Sequence, residues 1–126
     1  MKQDVQRHIE SAEVFLRESE YLLSGGFFRG TVGRAYYAMF HAATAALLHE
    51  GIERSSHGGI ISAFGQFITK PGLADPKFHR YLVEAFALRN DCDYLAPFEA
   101  EESQARATLN RARESVDACR QLCLRA

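Results

Sequence analysis

The feature that most limits the fold of this chain is the spacing of apolar and small residues near its C-terminus. Such residues occupy positions 105, 109, 112, 116, 119 and 123, at steps of three and four. This spacing places them on one side of an α-helix, and we expect that side to face a core. The helix is predicted to run from about Glu99 to Leu124. Glu99, Glu101 and Glu102 in its first turn and arginines further along would complement the helix macrodipole.

Four segments upstream have the same spacing or the boundary residues of a helix. The second of them, around Tyr36, is apolar nearly all round, as expected of a helix in the middle of a bundle. Gly25-Gly26 and Gly51 end the first two segments, because glycine tolerates the left-handed backbone at a helix C-terminus. Ser55 or Ser56 can cap the third. The predicted helices span residues 4–24, 27–49, 57–68, 75–94 and 99–124.

These segments, and the lack of strand-like alternation in the sequence, predict an all-α fold. Short connections favour an up-and-down bundle of four to five helices. The 126 residues fit one domain spanning 1–126. The central and last helices carry more apolar surface than a small monomer readily covers, and this predicts a homodimer.

The composition excludes several classes of protein. Fifteen Lys and Arg against sixteen Asp and Glu give a formal charge of -1, so any nucleic-acid contact has to be local. No apolar run reaches the roughly 20 residues of a membrane span, and the polar N-terminus lacks a signal peptide, so we expect a cytoplasmic protein without a membrane partner. Cys92, Cys119 and Cys123 lack CxxC spacing and the histidines lack HExxH spacing, which predicts no metal and no cofactor. We interpret Cys119 and Cys123 as small buried apolar residues.

Arg89 is the first polar residue that the helical pattern places close to an apolar face. Asp93, four residues on, can pair with it along the helix surface. One interpretation is a structural ion pair at the helix edge. The other is a cleft in which the planar fork of donors on Arg89 holds a phosphate or a carboxylate.

Arg34, Tyr37 and His41 form a second candidate group, because steps of three and four align them on one side of the central helix. A cation, a phenol and a titratable imidazole in one row could bind a nucleotide or perform acid-base chemistry. They could equally be polar tips at the edge of the bundle. His57 in Ser55-Ser56-His57-Gly58-Gly59 lies at a helix start, where free N–H groups can hold an anion or simply be capped.

Three segments, in this order, resemble the HEPN domain superfamily: RAYYAMFHAA from Arg34, SHGGI from Ser56 and LRNDCDY from Leu88. The resemblance covers nearly the whole chain. It implies a bundle of four or five helices, commonly a homodimer, often encoded beside a minimal nucleotidyltransferase in toxin-antitoxin or defence systems. Many members are metal-independent ribonucleases, with an Arg, four to six residues and then a His brought together across the dimer.

On this chain the resemblance places the arginine of that motif at Arg89 and the polar residue after it at Asn90. Tyr94, Leu95 and Ala96 stand where the histidine would be. A phenol is a poor proton shuttle near neutral pH compared with imidazole, and the other two side chains cannot transfer a proton. Cleavage by the usual mechanism of the family is therefore not expected.

The leading hypothesis is a non-catalytic or weakly active HEPN-like module that dimerises and binds a nucleotidyltransferase, a nucleotide or RNA. One alternative is a ribonuclease toxin in which His41 or His57 approaches Arg89, with Arg89 and His41 as catalytic candidates. Another is an interaction scaffold without a nucleotide or RNA ligand. The predicted ligand-binding residues are Arg34, Tyr37, His41, His57, Arg89, Asn90, Asp93 and Tyr94.

Overall fold

A computed structural model, which describes residues 1–125, contains five α-helices and no β-strand in that range. The all-α prediction is confirmed. A π-helical turn, Gly65–Thr69, continues the third helix. The helices are α1 (Gln3–Ser24), α2 (Phe28–His49), α3 (His57–Phe64), α4 (Lys77–Tyr94) and α5 (Glu102–Cys123).

Helix α2 is the centre of the bundle and contacts all four of the other helices. Its alanines at positions 35, 38, 42, 43, 45 and 46 are buried, and such small side chains let neighbouring helices approach closely. Tyr36 and Leu47 on the same helix are fully buried. Burying a large apolar side chain contributes roughly 1.5–3 kcal/mol to folding. The buried side chains of α2 therefore hold the other four helices in place around it.

Helix α5 presents the side that its spacing predicted. All six positions of the predicted stripe are buried, and Leu109 is completely enclosed. All three cysteines are free thiols and are buried, Cys119 and Cys123 among them, which fits their interpretation as apolar residues. Burial raises the pKa of the Cys123 thiol to about 11, so this thiol stays protonated and unreactive near neutral pH.

The predicted start of α5 was wrong. Helix α5 begins at Glu102, and Glu101 and Gln104 form a capping box before it, so Glu99 lies outside the helix. The chain is extended there because Ala100 is buried in a second apolar cluster with Val32 and Cys92. Helix α4 ends at Tyr94 as predicted, and Leu95, where extended backbone follows it, is 56% exposed.

The third helix is shorter than predicted, since it changes to the π-helical turn at Gly65. A Cβ atom at Gly65 would lie 2.7 Å from Nε2 of His79, so glycine allows the close approach of α4 at this point. Ser56 caps α3 as predicted, with its Oγ accepting a hydrogen bond from the N–H of Gly59 at 2.9 Å. This cap fixes His57 as the first residue of the helix, facing α2.

Candidate functional site

Arg89 lies on α4 against α2, and its side chain is 15% exposed. Its Nη2 donates to the hydroxyl of Tyr37 at 2.9 Å, and its Nη1 donates to Oδ1 of Asn90 at 3.3 Å. Nε lies 2.9 Å from Oδ2 of Asp93, but the angle at this contact does not fit a hydrogen bond, so charge holds the pair. The predicted Arg89–Asp93 pair therefore exists, and three neighbours fix the orientation of the guanidinium.

The ring of Tyr94 lies 5.8 Å from the guanidinium carbon of Arg89. Tyr94 is 75% exposed, whereas Tyr37, 5.2 Å from the same carbon, is only partly exposed. A cation between aromatic faces is stabilised by the ring quadrupoles. Arg89 is thus held in a half-buried aromatic setting, with Tyr94 on its solvent side.

The predicted row of Arg34, Tyr37 and His41 is covered by Phe15 of α1. Phe15 stacks on Tyr37 and His41, with ring centroids 5.6 and 5.4 Å apart, and the guanidinium carbon of Arg34 lies 5.8 Å from the Phe15 ring. The three residues therefore share a face, as their spacing predicted. Only Tyr37 of the three bonds to Arg89 directly.

His57 belongs to an aromatic cluster beside Arg89. Its Nδ1 lies 2.6 Å from the hydroxyl of the fully buried Tyr36, and its ring stacks on Phe40 at 4.5 Å and on Phe86 at 5.9 Å. Burial, together with the positive charge of Arg89, lowers the pKa of His57. His57 is therefore neutral near pH 7. Its contact with Tyr36 connects it to α2, the helix against which Arg89 packs.

His41 is directed away from Arg89 and towards α1. Its Nδ1 lies 2.9 Å from Nδ1 of His8. Burial lowers the pKa of both imidazoles, and His8 lowers that of His41 further. The structure therefore brings His57, not His41, close to Arg89.

An open groove of about 710 Å³ runs along the first half of α2 and ends at Arg89. We call it the Arg89 groove. Three arginines and two carboxylates face it, and Phe27 at its edge is 65% exposed. Its lining includes Phe27, Arg29, Gly30, Gly33, Arg34, Tyr37, Arg89, Asp93 and Glu99.

Sequence reasoning missed several residues that build this region. Arg29 donates from Nε to the carbonyl oxygen of Cys92 at 3.0 Å, which ties the start of α2 to the end of α4. The sequence indicated only that Tyr36 belongs to an apolar helix. Its hydrogen bond to His57 depends on how α3 packs against α2. No sequence pattern marked His8 as part of this region, because its partner His41 is 33 residues away in the chain. Arg29 lies five residues before Arg34, so the steps of three and four that align Arg34, Tyr37 and His41 do not include it.

Within residues 1–125, no three His, Cys, Asp or Glu side chains come together in a group that could hold a metal ion. None of the helices in the same range combines the length and the apolarity needed to cross a membrane.

Known proteins resemble this chain over most of its length. "Putative toxin MJ0605" of Methanocaldococcus jannaschii is 32% identical over 117 residues, which cover 93% of this chain and 87% of that protein. "Putative toxin MJ0142" of the same organism is 32% identical over 110 residues, or 87% and 75% of the two chains. "UPF0332 protein glr0978" of Gloeobacter violaceus is 37% identical over 94 residues, or 75% of each.

A family model described as the HEPN domain matches residues 5–122. That range includes the helices α2 and α4, which build the Arg89 groove, and it contains all three segments on which the resemblance was based. The chain therefore belongs to the HEPN domain family.

Proposed function

We propose that this HEPN module binds a phosphate-bearing ligand, RNA or a nucleotide, in the Arg89 groove, as part of a toxin-antitoxin or defence-type system, with little or no cleavage. The observation that carries the proposal is the fixed guanidinium of Arg89 at the end of an open groove. The names of two similar proteins contain the words "Putative toxin", which supports a toxin-antitoxin or defence-type system.

The charge of the groove supports an anionic ligand. Arg29 and Arg34 face it together with Arg89. Arg29 bonds to a neutral carbonyl oxygen, and the ion pair of Arg34 with Glu18 is long, at 3.6 Å, and exposed, so neither positive charge is strongly neutralised. Guanidinium groups match phosphate oxygens in geometry and charge, and three of them along one groove suit successive phosphates.

Exposed aromatic residues at the edge of the groove and beside Arg89 support a ligand with bases. Phe27 is 65% exposed and Tyr94 is 75% exposed. Bases stack on such rings, and each stacked base contributes about 1–3 kcal/mol in single-stranded nucleic-acid complexes. A nucleotide or a short single strand would use both the arginines and these rings.

The expectation of little or no cleavage rests on the missing proton shuttle. Tyr94 stands at the motif position of the histidine and offers a phenol, which is a weak shuttle near neutral pH. His41 is engaged with His8. Arg89 is therefore assigned to binding, with Asn90 and Asp93 orienting it.

The direct test is binding of a fluorescein-labelled single-stranded RNA of about ten nucleotides, followed by fluorescence anisotropy. In Gly33→Leu the new side chain projects into the groove, since a Cβ atom at Gly33 meets nothing within 4 Å. Leucine also favours the helix by about 1 kcal/mol over glycine. We expect a more stable protein that has lost RNA affinity.

Gly58→Leu is the matched control, because Gly58 lies in α3 and has equally open space. It is expected to keep the affinity of the wild type. Equal RNA affinity in Gly33→Leu and wild type would exclude the groove as the binding site. ATP and other nucleotides, tested as competitors, separate a nucleotide ligand from RNA.

A second candidate function is a metal-independent ribonuclease, and the position of His57 favours it. The imidazole is neutral, bonded to Tyr36 and close enough to Arg89 for the charge to lower its pKa. It could accept a proton while Arg89 stabilises a charged phosphate. General acid-base catalysis typically contributes 10²–10⁴-fold, so we expect His57→Asn to remove about a hundredfold of any cleavage.

RNA cleavage by the purified protein decides between binding and catalysis. Robust cleavage that disappears in Arg89→Ala and His57→Asn, but persists in His49→Asn and His41→Ala, would replace the binding proposal with the ribonuclease. His49 is a suitable control because it lies at the far end of α2, beside Glu50. Cleavage that also survives in Arg89→Ala would point to a contaminating nuclease.

The homodimer and the nucleotidyltransferase partner are further parts of the proposal. Large apolar side chains are exposed on α1, at the edge of the groove and at the end of α4, and they offer a surface for a second chain. Light scattering that finds only a 14.1 kDa species at micromolar concentration would reject the dimer. Failure to co-purify with a neighbouring nucleotidyltransferase, together with failure to bind RNA or nucleotides, would favour a scaffold. The exposed side chains are Val14, Tyr21, Phe27, Tyr94 and Leu95.

A further inference from the structure

His8 of α1 and His41 of α2 meet nitrogen to nitrogen. Their Nδ1 atoms are 2.9 Å apart, and their ring centroids are 5.2 Å apart with planes at 26°. The centroid separation is close to the N···N distance plus the two ring radii, so each ring points at the other along one line. This geometry is that of a direct N–H···N hydrogen bond between two helices.

The number of protons on the pair decides whether this bond exists. A neutral imidazole has one donor and one acceptor nitrogen, so two neutral rings share one N–H···N bond. One added proton can be placed on an Nε2 and leaves the bond intact. A second added proton puts N–H groups on both Nδ1 atoms, which then face each other as like charges, and the contact has to break.

The surroundings of the pair oppose the second proton. Burial lowers the pKa of both rings, and Asp4 on α1 partly offsets this for His8. Glu53 and Arg54, which follow α2, line a groove of about 550 Å³ with His8. From α3, His57 stacks on Phe40, the residue before His41. From α5, Arg113 is paired with Glu20, near the other end of α1.

A continuous set of contacts joins the pair to the Arg89 groove. His41 stacks on Phe15 with planes at 12°, and Phe15 stacks on Tyr37. Tyr37 accepts the hydrogen bond from Arg89 at 2.9 Å. Phe15 and His8 both belong to α1, so a shift of α1 away from α2 would move the ring that supports Tyr37.

We propose that the His8–His41 contact is a proton-operated latch, which holds α1 on α2 when it shares one bond and weakens ligand binding in the Arg89 groove when both rings are protonated. The effect on the ligand rests on the proposed binding function. The movement of α1 does not, and this allows the two to be tested separately.

The first test measures affinity for the labelled single-stranded RNA from about pH 8 to about pH 4, because the second proton binds below the range in which histidines ordinarily titrate. Coupling between sites typically changes affinity about 5-fold to 150-fold, and we expect wild type to lose at least about fivefold. His8→Asn and His41→Asn should keep a polar contact but cannot form the doubly charged pair, so their affinity should fall less. His49→Asn is the control and should behave as wild type. Identical pH profiles for wild type and His8→Asn would overturn the latch.

The second test follows the ring resonances of Phe15 and Tyr37 by NMR during the same titration, without ligand. Movement of both sets in wild type but not in His8→Asn supports the latch even if RNA binds at no pH, in which case only the binding proposal fails. Rings that stay unchanged while His8 and His41 titrate would overturn the latch regardless of RNA binding.

The stability of wild type gives a third, independent readout. The pKa of each ring lies below the ordinary histidine value of 6.5 in the folded chain, so the unfolded chain takes up more protons as the pH falls below 6.5. The free energy of unfolding therefore decreases in that range. A smaller decrease in His8→Asn is expected, and an equal decrease contradicts the proposal.

Discussion

The arginines of α5 and those of the Arg89 groove differ in how their charge is compensated. On α5, Arg106 lies 2.9 Å from Glu102 and Arg120 lies 3.0 Å from Asp117. Arg111 is paired with Glu84 of α4 in the same way. All of these side chains are about half exposed, and pairs of this kind contribute about 0–1 kcal/mol each. They keep the outer surface of the bundle charged and balanced.

In the groove, the same residue type is held mainly by neutral oxygens. Arg29 donates to the carbonyl of Cys92, and Arg89 donates to Tyr37 and Asn90. Asp93 pairs with Arg89, but three arginines and only two carboxylates line the groove. A hydrogen bond to a neutral oxygen fixes a guanidinium without cancelling its charge. The groove therefore keeps an excess of positive side chains, whereas Arg106, Arg111 and Arg120 of α5 are each paired with a carboxylate. The partners of an arginine, more than its presence, separate a binding surface from a solvated one.

The sharpest test of this difference compares Arg89→Ala with Arg106→Ala. A charge-assisted hydrogen bond is worth about 1.5–3 kcal/mol, so losing the contacts of Arg89 should weaken RNA binding by about tenfold to a hundredfold. Arg106 faces solvent beside Glu102, and its removal should change the affinity less than about twofold. Fluorescence anisotropy at fixed ionic strength measures both variants.

Circular dichroism should accompany these measurements, since Arg89 contributes to packing between α2 and α4. An Arg89→Ala protein that melts as wild type and has lost RNA affinity supports the comparison. Equal losses of affinity in the two variants would mean that RNA binds outside the Arg89 groove, or that the affinity depends only on the net charge of the protein.

The fold was predictable from the sequence because it depends on spacing. The stripe of α5 and the apolar α2 appear directly in the positions of small and large apolar residues. Local capping was also visible, as at Ser56. Glu99 was assigned wrongly, because the start of α5 is set by the burial of Ala100 in the second apolar cluster, which is a tertiary effect.

The site was predictable only where its residues are close in the chain. The Arg89–Asp93 pair and the row of Arg34, Tyr37 and His41 follow from steps of three and four. The contacts of Tyr36 with His57 and of His8 with His41 join residues 21 and 33 positions apart. Only the docking of whole helices determines them, so the sequence could not distinguish which histidine approaches Arg89.

Asp93→Ala should change stability and affinity in opposite directions. Its removal leaves Arg89 half buried without a carboxylate, and because Asp93 is 40% exposed we expect a loss of only about 1 kcal/mol in the free energy of unfolding. RNA affinity should rise, since the groove loses a negative charge. Glu102→Ala on α5 is the control, with little change in either. A parallel loss of stability and affinity in Asp93→Ala would show that the orientation of Arg89 by Asp93 matters more for binding than the negative charge that Asp93 brings to the groove.

Tyr37→Phe removes the oxygen that accepts from Nη2 of Arg89 while keeping the ring stacked on Phe15. Tyr37 is partly exposed, so water can replace the lost acceptor, and we expect a cost of about 0.5–1 kcal/mol in stability. RNA affinity should fall a few-fold, because the guanidinium gains freedom. In the control Tyr81→Phe, the ring 4.9 Å from Arg111 keeps its contact, and affinity should not change.

The smallest expected effect concerns the salt dependence of RNA binding. Each phosphate contact in a single strand contributes about -0.7 to the slope of log K against log salt concentration. Arg34 faces the groove and its pair with Glu18 is long, so Arg34→Ala should make the slope shallower by about 0.7 if its guanidinium contacts one phosphate. Arg120→Ala on α5 should leave the slope unchanged, because Asp117 already occupies that guanidinium. Equal slopes in wild type and Arg34→Ala would limit the phosphate contacts to Arg29 and Arg89, and the bound strand would then occupy only the end of the groove beside α4.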